Sequence, residues 1–298
     1  MKKRIIYGTI LILVVTGLFA LDWWLEVRAR SSVDPVKVRM GIYEPAMVGP
    51  VLTGLMCVLV VVAVLELSRF AKARGVGILH GATIVGSLAI ASFPFWQQVL
   101  LGHGGIASAG QLLLLQGLIV LLVFIEQMVR HRIDDAIRRM GVTFLAIAYL
   151  GIGAALVLYL RIRGGMEVLI LFLATVKCTD IGAYFTGSMI GKHKMIPWLS
   201  PGKSWQGLAG GLLAAAGVAT LSAWLLGIHQ LLWWKAPVFG AVVGLAGQFA
   251  DLCESLMKRD ADVKDSGALV PNFGGVLDIV DSPLLAAPVA AGLLGLLW

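Results

Sequence analysis

The sequence predicts an all-α protein, a polytopic membrane bundle of about nine transmembrane helices. Three observations predict this class. Hydrophobic residues make up 59% of the chain and charged residues 14%, whereas soluble domains contain about 45–50% and about 25%. The mean hydropathy is +0.90. The apolar residues are gathered into runs of about 20, which is the length that an α-helix needs to cross a bilayer.

Nine segments are apolar and long enough to be interpreted as spans. The first follows Lys2, Lys3 and Arg4. Its basic start is typical of a signal peptide, but no small-residue cleavage site follows, so we expect it to remain as a span. The tryptophans near its end are typical of a membrane interface. The nine predicted cores are 5–25, 47–68, 76–99, 109–128, 141–160, 166–186, 207–227, 231–252 and 276–298.

The basic residues predict the orientation of these spans. With the N-terminus in the cytoplasm, 16 Lys and Arg residues fall on the cytoplasmic side and 7 on the other, with Lys177 inside a span. This is the asymmetry expected of short cytoplasmic loops, and it predicts a multi-pass protein of the cytoplasmic (inner) membrane. Attraction to anionic headgroups explains the net charge of +7, so no nucleic-acid partner is predicted.

Polar residues are distributed unevenly along the chain. The first half carries few of them inside its spans. We therefore predict a supporting, lipid-facing region over residues 1–165 and a catalytic region over residues 166–298. Cys57, Cys178 and Cys253 lack the spacing of metal or redox motifs and are expected to be reduced.

Seven of the 17 acidic residues fall between positions 251 and 281. Carboxylates are costly at the membrane edge, so such a cluster indicates a functional site. Asp251, Glu254, Ser255 and Lys258 have the spacing i, i+3, i+4 and i+7, which predicts one helix face. A solvated helix end is the alternative interpretation.

Two further aspartates, Asp278 and Asp281, open the last span one helical turn apart. Helix capping would account for them. A bound cation would account better for two carboxylates within an apolar helix. Gly274 and Gly275 precede them and would let the backbone approach a ligand closely.

Two other segments are candidates for substrate binding. Residues 177–194 contain Lys177 and Asp180 one turn apart, which would either neutralise each other or serve the site. Residues 200–204 read Ser-Pro-Gly-Lys-Ser. They lack the upstream GxxxxG arrangement of a P-loop, so Lys203 is interpreted as a lysine that a turn presents to phosphate, with a solvated loop lysine as the alternative.

With these residues, the chain resembles the phosphatidate cytidylyltransferase (CDP-diacylglycerol synthase) family over roughly residues 175–290. The C-terminal signature matches at Ser255, Lys258, Arg259, Lys264, Asp265, Gly274, Gly275, Asp278, Asp281 and Ser282. Upstream, Asp251, Leu252 and Glu254 match an Asp-Leu-x-Glu-Ser motif. The central motif matches at Asp180, Ala183, Tyr184, Gly187, Gly191 and Lys192, and the Ser-Pro-x-Lys loop at Ser200, Pro201 and Lys203.

The chain departs from the family pattern at four positions. Asn272 and Phe273 stand where the family has Gly-His, Ile279 replaces an Arg, and Gln206 replaces a Glu. The metal ligands and the Lys-Arg pair are kept. We therefore expect a working enzyme with weaker ground-state binding of a phosphate group.

The resemblance implies a metal-assisted nucleotidyltransferase. Phosphatidic acid, or a similar anionic lipid, would attack the α-phosphorus of CTP at the bilayer and give CDP-diacylglycerol and pyrophosphate. It implies Mg²⁺, with a second cation possible, and a possible homodimer. The implied metal ligands are Asp251, Glu254, Asp278 and Asp281. The implied catalytic residues are Lys203, Ser255, Lys258, Arg259, Lys264 and Asp265, and the implied substrate-binding residues are Asp180, Tyr184, Lys192, Ser200, Gly274 and Gly275.

Three other functions remain open. A related enzyme would use another acceptor, such as a polyprenol or phytol in a kinase, or an ether lipid. A cation-coupled transporter would use the intramembrane acids, but here they gather at one end of the chain, whereas transporters often show repeated halves. A non-catalytic relative is the third.

Overall fold

The protein is almost entirely α-helical in a computed structural model that describes residues 2–32, 48–101, 109–263, 265–267 and 274–297. The all-α class is confirmed. The chain divides into two compact units, Met1–Leu158 with Asp265–Leu277, and Tyr159–Lys264 with Asp278–Trp298. The functional division at residue 165 stays a prediction.

The first unit contains the helices of the N-terminal half. The helix Ala109–Glu126 continues into a π-helical turn at Gln127–His131, and the helix Ala136–Ala146 into another at Ile147–Ile152. The helices are α1 (Lys2–Ser32), α2 (Pro50–Ala73), α3 (His80–Leu101), α4 (Ala109–Glu126) and α5 (Ala136–Ala146). A next helix, α6 (Gly153–Ile190), begins in this unit and continues into the second.

The second unit adds a short antiparallel hairpin to its helices, which the sequence did not predict. The hairpin pairs Lys194 with Ser204 and Ile196 with Ser200. Its elements, with the helices that follow, are β1 (Lys194–Ile196), β2 (Ser200–Ser204), α7 (Trp205–Leu225), a 3₁₀ turn (His229–Leu231), α8 (Lys235–Asp260) and α9 (Leu277–Leu297).

Seven helical segments in the described ranges are long and apolar enough to cross a membrane, so the chain is a multi-pass membrane protein. The expected number of nine is not confirmed. The predicted cores 141–160 and 166–186 fall within one 55-residue segment, Ala136–Ile190. Gly165, at φ 82° and ψ 178°, interrupts this segment with a conformation that only glycine adopts readily. The predicted core 76–99 corresponds to α3, which is not among the seven.

Two helices of the first unit are capped by acidic side chains that belong to other helices. Asp22 of α1 accepts hydrogen bonds from the backbone N–H groups of Val51 (3.1 Å) and Leu52 (3.3 Å) at the start of α2. Glu126 does the same for Gly81 (3.3 Å) and Ala82 at the start of α3. Because the first N–H groups of a helix lack partners within it, a carboxylate there is stabilised by both hydrogen bonds and the helix dipole.

Small residues let the helices of the second unit approach closely. A Cβ added to Gly240 of α8 would lie 2.7 Å from the Cβ of Ala219 in α7. One added to Gly244 would lie 2.7 Å from the Oγ1 of Thr179 in α6. Such contacts are typical of helix packing in membranes. They bring the polar residues of α6 and α8 within hydrogen-bonding distance.

The hairpin leads directly into α7. The Ser204 hydroxyl caps this helix by accepting a hydrogen bond from the N–H of Gly207 at 3.1 Å. The side chain of Gln206, at the start of α7, contacts His193, which immediately precedes β1. Its amide oxygen accepts a hydrogen bond from the His193 backbone N–H (3.2 Å), and its Nε2 lies 2.7 Å from the His193 ring Nδ1. These contacts fix the strand that carries Lys203.

Candidate active site

Three carboxylates converge inside the second unit. Asp251 and Glu254 come from α8 and Asp281 from α9, and one oxygen from each lies within 4.8 Å of the others. Glu254 is 1% exposed and Asp281 2% exposed. The i, i+3 spacing on α8 directs its two carboxylates to one side. Asp281, in α9 one turn after Asp278, supplies the third.

Two lysines bind this group of acids. Lys258 lies one turn after Glu254, and its Nζ is 2.7 Å from Glu254 Oε2 and 2.7 Å from Asp278 Oδ1. It therefore joins α8 to α9. Lys203 reaches from β2 to Asp251 Oδ2 at 2.6 Å and also donates to the backbone oxygen of Gln248 at 2.9 Å.

Helix α6 completes the cluster. Asp180 accepts a hydrogen bond from Gln248 Nε2 at 2.8 Å. One turn earlier, Lys177 donates from its Nζ to the backbone oxygen of Ile279 in α9 at 2.9 Å. We name the eight charged residues from these four elements the acidic cluster: Lys177, Asp180, Lys203, Asp251, Glu254, Lys258, Asp278 and Asp281.

The acidic cluster fits a divalent cation. With five carboxylates and three lysines, its formal charge is −2 when every group is ionised. Glu254 Oε1 and Asp281 Oδ2 are buried and receive no hydrogen bond from any described residue. Buried carboxylate oxygens without donors are costly. Carboxylate oxygen is also the ligand that Mg²⁺ prefers. Asp251, Glu254 and Asp281 would hold such an ion.

The fourth residue of the predicted metal set is a neighbour of this group and not a member of it. Asp278 lies outside the group of three and is paired with Lys258. Its role as a ligand stays a prediction.

Other predicted residues of the second unit lie apart from these contacts. Tyr184 is 72% exposed on α6. The side chains of Tyr184, Lys192, Ser200, Ser255 and Arg259 form no hydrogen bond or ion pair with any described residue. Their roles in binding or catalysis also stay predictions.

The remaining predicted residues either belong to the first unit or lie outside the described residues. Asp265, Gly274 and Gly275 cluster with the first unit. Lys264, Asn272 and Phe273 lie outside the described residues.

Glu66, a buried acid of α2 that is 2% exposed, was not among the predicted site residues. It accepts hydrogen bonds from the N–H groups of Val276 (3.0 Å) and Leu277 (2.8 Å) and from the Ser266 hydroxyl (3.1 Å). A Cβ added to Gly275 would lie 2.5 Å from one of its oxygens. This explains the need for glycine there. The only signal in the sequence is one Glu within an apolar run.

Gln248 was missed as well, although it is 7% exposed and bonded to both Asp180 and Lys203. Its position one turn before Asp251 on an apolar helix would have indicated it.

Comparison with known proteins identifies the family. The chain matches the profile of the Cytidylyltransferase family over residues 41–297. It is 38% identical over 145 residues to proteins named phosphatidate cytidylyltransferase from Staphylococcus epidermidis and Staphylococcus aureus, and 37% identical to one from Staphylococcus saprophyticus. Each alignment covers 49% of this chain and 55% of the relative, so the chain spans little more than half the length of these curated relatives. Because the profile covers most of the chain and includes the whole acidic cluster, the chain belongs to the cytidylyltransferase family.

Proposed function

We propose that this protein is a phosphatidate cytidylyltransferase that makes CDP-diacylglycerol and pyrophosphate from CTP and phosphatidic acid. The carrying observation is the convergence of Asp251, Glu254 and Asp281, with Lys203 and Lys258 bound to the same acids. Family membership and the names of the relatives support the choice of substrates.

The reaction needs no covalent enzyme intermediate. A phosphate oxygen of phosphatidic acid forms a bond to the α-phosphorus of CTP, and the bond to the bridging oxygen of pyrophosphate breaks. Both reactants are anions, so their mutual repulsion must be screened. Mg²⁺ held by Asp251, Glu254 and Asp281 would supply charge neutralisation on the phosphate oxygens.

The lysines of the acidic cluster would stabilise the charge that builds up on the leaving pyrophosphate. Lys258 is 16% exposed and is held by two carboxylates, so its ammonium group is already positioned. Lys203 is held by one carboxylate, Asp251, and by the backbone oxygen of Gln248. Donors that are fixed before the reaction stabilise a transition state without reorganisation.

A lipid substrate accounts for acids within spans. α8 and α9, which carry most of the acidic cluster, are both candidate membrane-spanning helices. The headgroup of phosphatidic acid would reach the carboxylates while its acyl chains stay in hydrocarbon. In this proposal the cluster faces the cytoplasm across the inner membrane, where CTP is available.

Purified protein in detergent, given labelled CTP and a panel of lipids, tests the reaction. We expect Mg²⁺-dependent formation of labelled CDP-diacylglycerol with phosphatidic acid, and no product with phytol or polyprenol. Transfer of the γ-phosphate to a lipid alcohol would favour a kinase and contradict the proposal. So would the absence of CTP consumption with every lipid.

Cysteine labelling tests the orientation. Lys194 in the hairpin and Gln230 in the turn between α7 and α8 are both exposed, and they flank opposite ends of α7. In a background lacking Cys57, Cys178 and Cys253, we expect Gln230→Cys to react with an impermeant maleimide in intact cells. We expect Lys194→Cys to react only after the membrane is opened. The reverse pattern would overturn the cytoplasmic assignment.

A further inference from the structure

Lys177 differs from the other lysines of the acidic cluster in what its charge contacts. Lys203 and Lys258 lie 2.6–2.7 Å from carboxylate oxygens. The Lys177 ammonium donates to the neutral backbone oxygen of Ile279 and forms no ion pair with any described residue. Its charge also attracts Asp180 and Asp281, without an ion pair to either. Its donors other than that one bond are available to a ligand, because an ammonium group has three.

The position of Lys177 in the membrane segment indicates that its free donors meet water or an anion. The residue lies within an apolar membrane segment, Ala136–Ile190, and its side chain is exposed. An exposed ammonium in such a segment is costly unless water or an anion meets it. The hydrogen bond also holds the ammonium group against α9 at Ile279, which precedes Asp281 by less than one helical turn.

We propose that Lys177 binds a phosphate oxygen of one of the two substrates. This inference rests on the proposed function. Ile279 itself cannot contact a phosphate by charge. Lys177 brings an ammonium group to the same residue from another helix, through a contact between positions 102 apart in sequence.

Removal of the charge tests the proposal. Lys177→Met keeps a long side chain and loses the ammonium group. We expect the KM for one substrate, CTP or phosphatidic acid, to rise about 10- to 100-fold, which is the effect of losing a charge-assisted hydrogen bond. Lys177→Arg should keep most of the affinity. The substrate whose KM changes identifies which phosphate is bound.

Lys235 offers a matched control. It donates to the backbone oxygen of Leu297 at 2.7 Å, so Lys235→Met also deletes a lysine-to-carbonyl bond between α8 and α9, but away from the acidic cluster. We expect its KM values to equal those of the wild type. If both variants raise KM alike, the effect of Lys177 is structural and the proposal is wrong.

A rescue experiment separates binding from packing. In the Lys177→Met background, Ile279→Arg should lower the raised KM again, whereas in the wild type it should change KM by less than about threefold, since a cation already serves the position. A loss of kcat and thermal stability with unchanged KM, without rescue by Ile279→Arg, would overturn the proposal.

Calorimetric titration separates this inference from the proposed function. CTP and pyrophosphate are titrated separately into wild type and Lys177→Met, and phosphatidic acid is offered in mixed micelles. If the wild type fails to turn over CTP, the proposed function is wrong. Weaker binding of one of these ligands by Lys177→Met would still support a phosphate contact, and equal binding of all three would overturn it.

Discussion

Asp281→Asn is expected to lower the rate of CDP-diacylglycerol formation by about 1,000-fold, or about 4 kcal/mol in activation free energy. Asp281 is 2% exposed, and its Oδ2 receives no hydrogen bond from the described residues. Asn keeps the shape but removes the charge. The remaining carboxylates, Asp251 and Glu254, are both contacted by lysines, so little free negative charge is left to hold a divalent cation.

The measurement combines turnover with Mn²⁺ binding followed by electron paramagnetic resonance. Asp260→Asn serves as the control, because Asp260 is an exposed acid at the end of α8. It should bind Mn²⁺ and turn over CTP as the wild type does. A wild-type rate for Asp281→Asn at saturating Mg²⁺ would refute the assignment of this residue as a ligand.

Lys258→Met is expected to destabilise the protein by about 3–5 kcal/mol, the cost of removing one partner from a buried ion pair. Lys258 is 16% exposed, and its partners Glu254 and Asp278 are 1% and 11% exposed. The change leaves two carboxylates facing each other without their shared cation. Thermal unfolding in detergent measures the loss.

A double-mutant cycle shows whether the ion pair is the cause. Lys258→Met with Glu254→Gln should be more stable than the sum of the single effects predicts, because the second change removes one of the unpaired charges. Arg138→Met is the control. It breaks an exposed pair with Asp135 at 3.5 Å and should cost less than about 1 kcal/mol. Additive effects in the cycle would contradict the bridging role of Lys258.

Much of the fold class could be predicted because composition alone decides it. Apolar runs of about 20 residues have few structures available other than membrane helices. The number of spans could not be predicted from composition and apolar runs alone. In the run that ends at Ile190, Arg161, Arg163 and the Gly164–Gly165 pair predict a break between two spans, but whether such glycines bend a helix or pack within it depends on tertiary contacts.

The candidate site was predictable where its residues share one helix. Asp251, Glu254 and Lys258 follow the i, i+3, i+4 spacing, and the pair of Glu254 with Lys258 is one that this spacing favours. Contacts between distant segments leave no such pattern. The bonds from Lys177 to Ile279 and from Gln248 to Asp180 join positions 102 and 68 apart, and the sequence could not supply them.

The hydrogen bonds of Glu66 also join distant positions, and this separation determines when they can form during synthesis. Its hydrogen-bond donors Ser266, Val276 and Leu277 follow it by 200, 210 and 211 residues. At a ribosomal rate of about 5–20 residues per second, they are synthesised about 10–40 s after Glu66. A buried carboxylate without donors is costly, so this end of α2 must stay hydrated or otherwise shielded during that interval. The first unit can therefore reach its final packing only after Leu277 has left the ribosome.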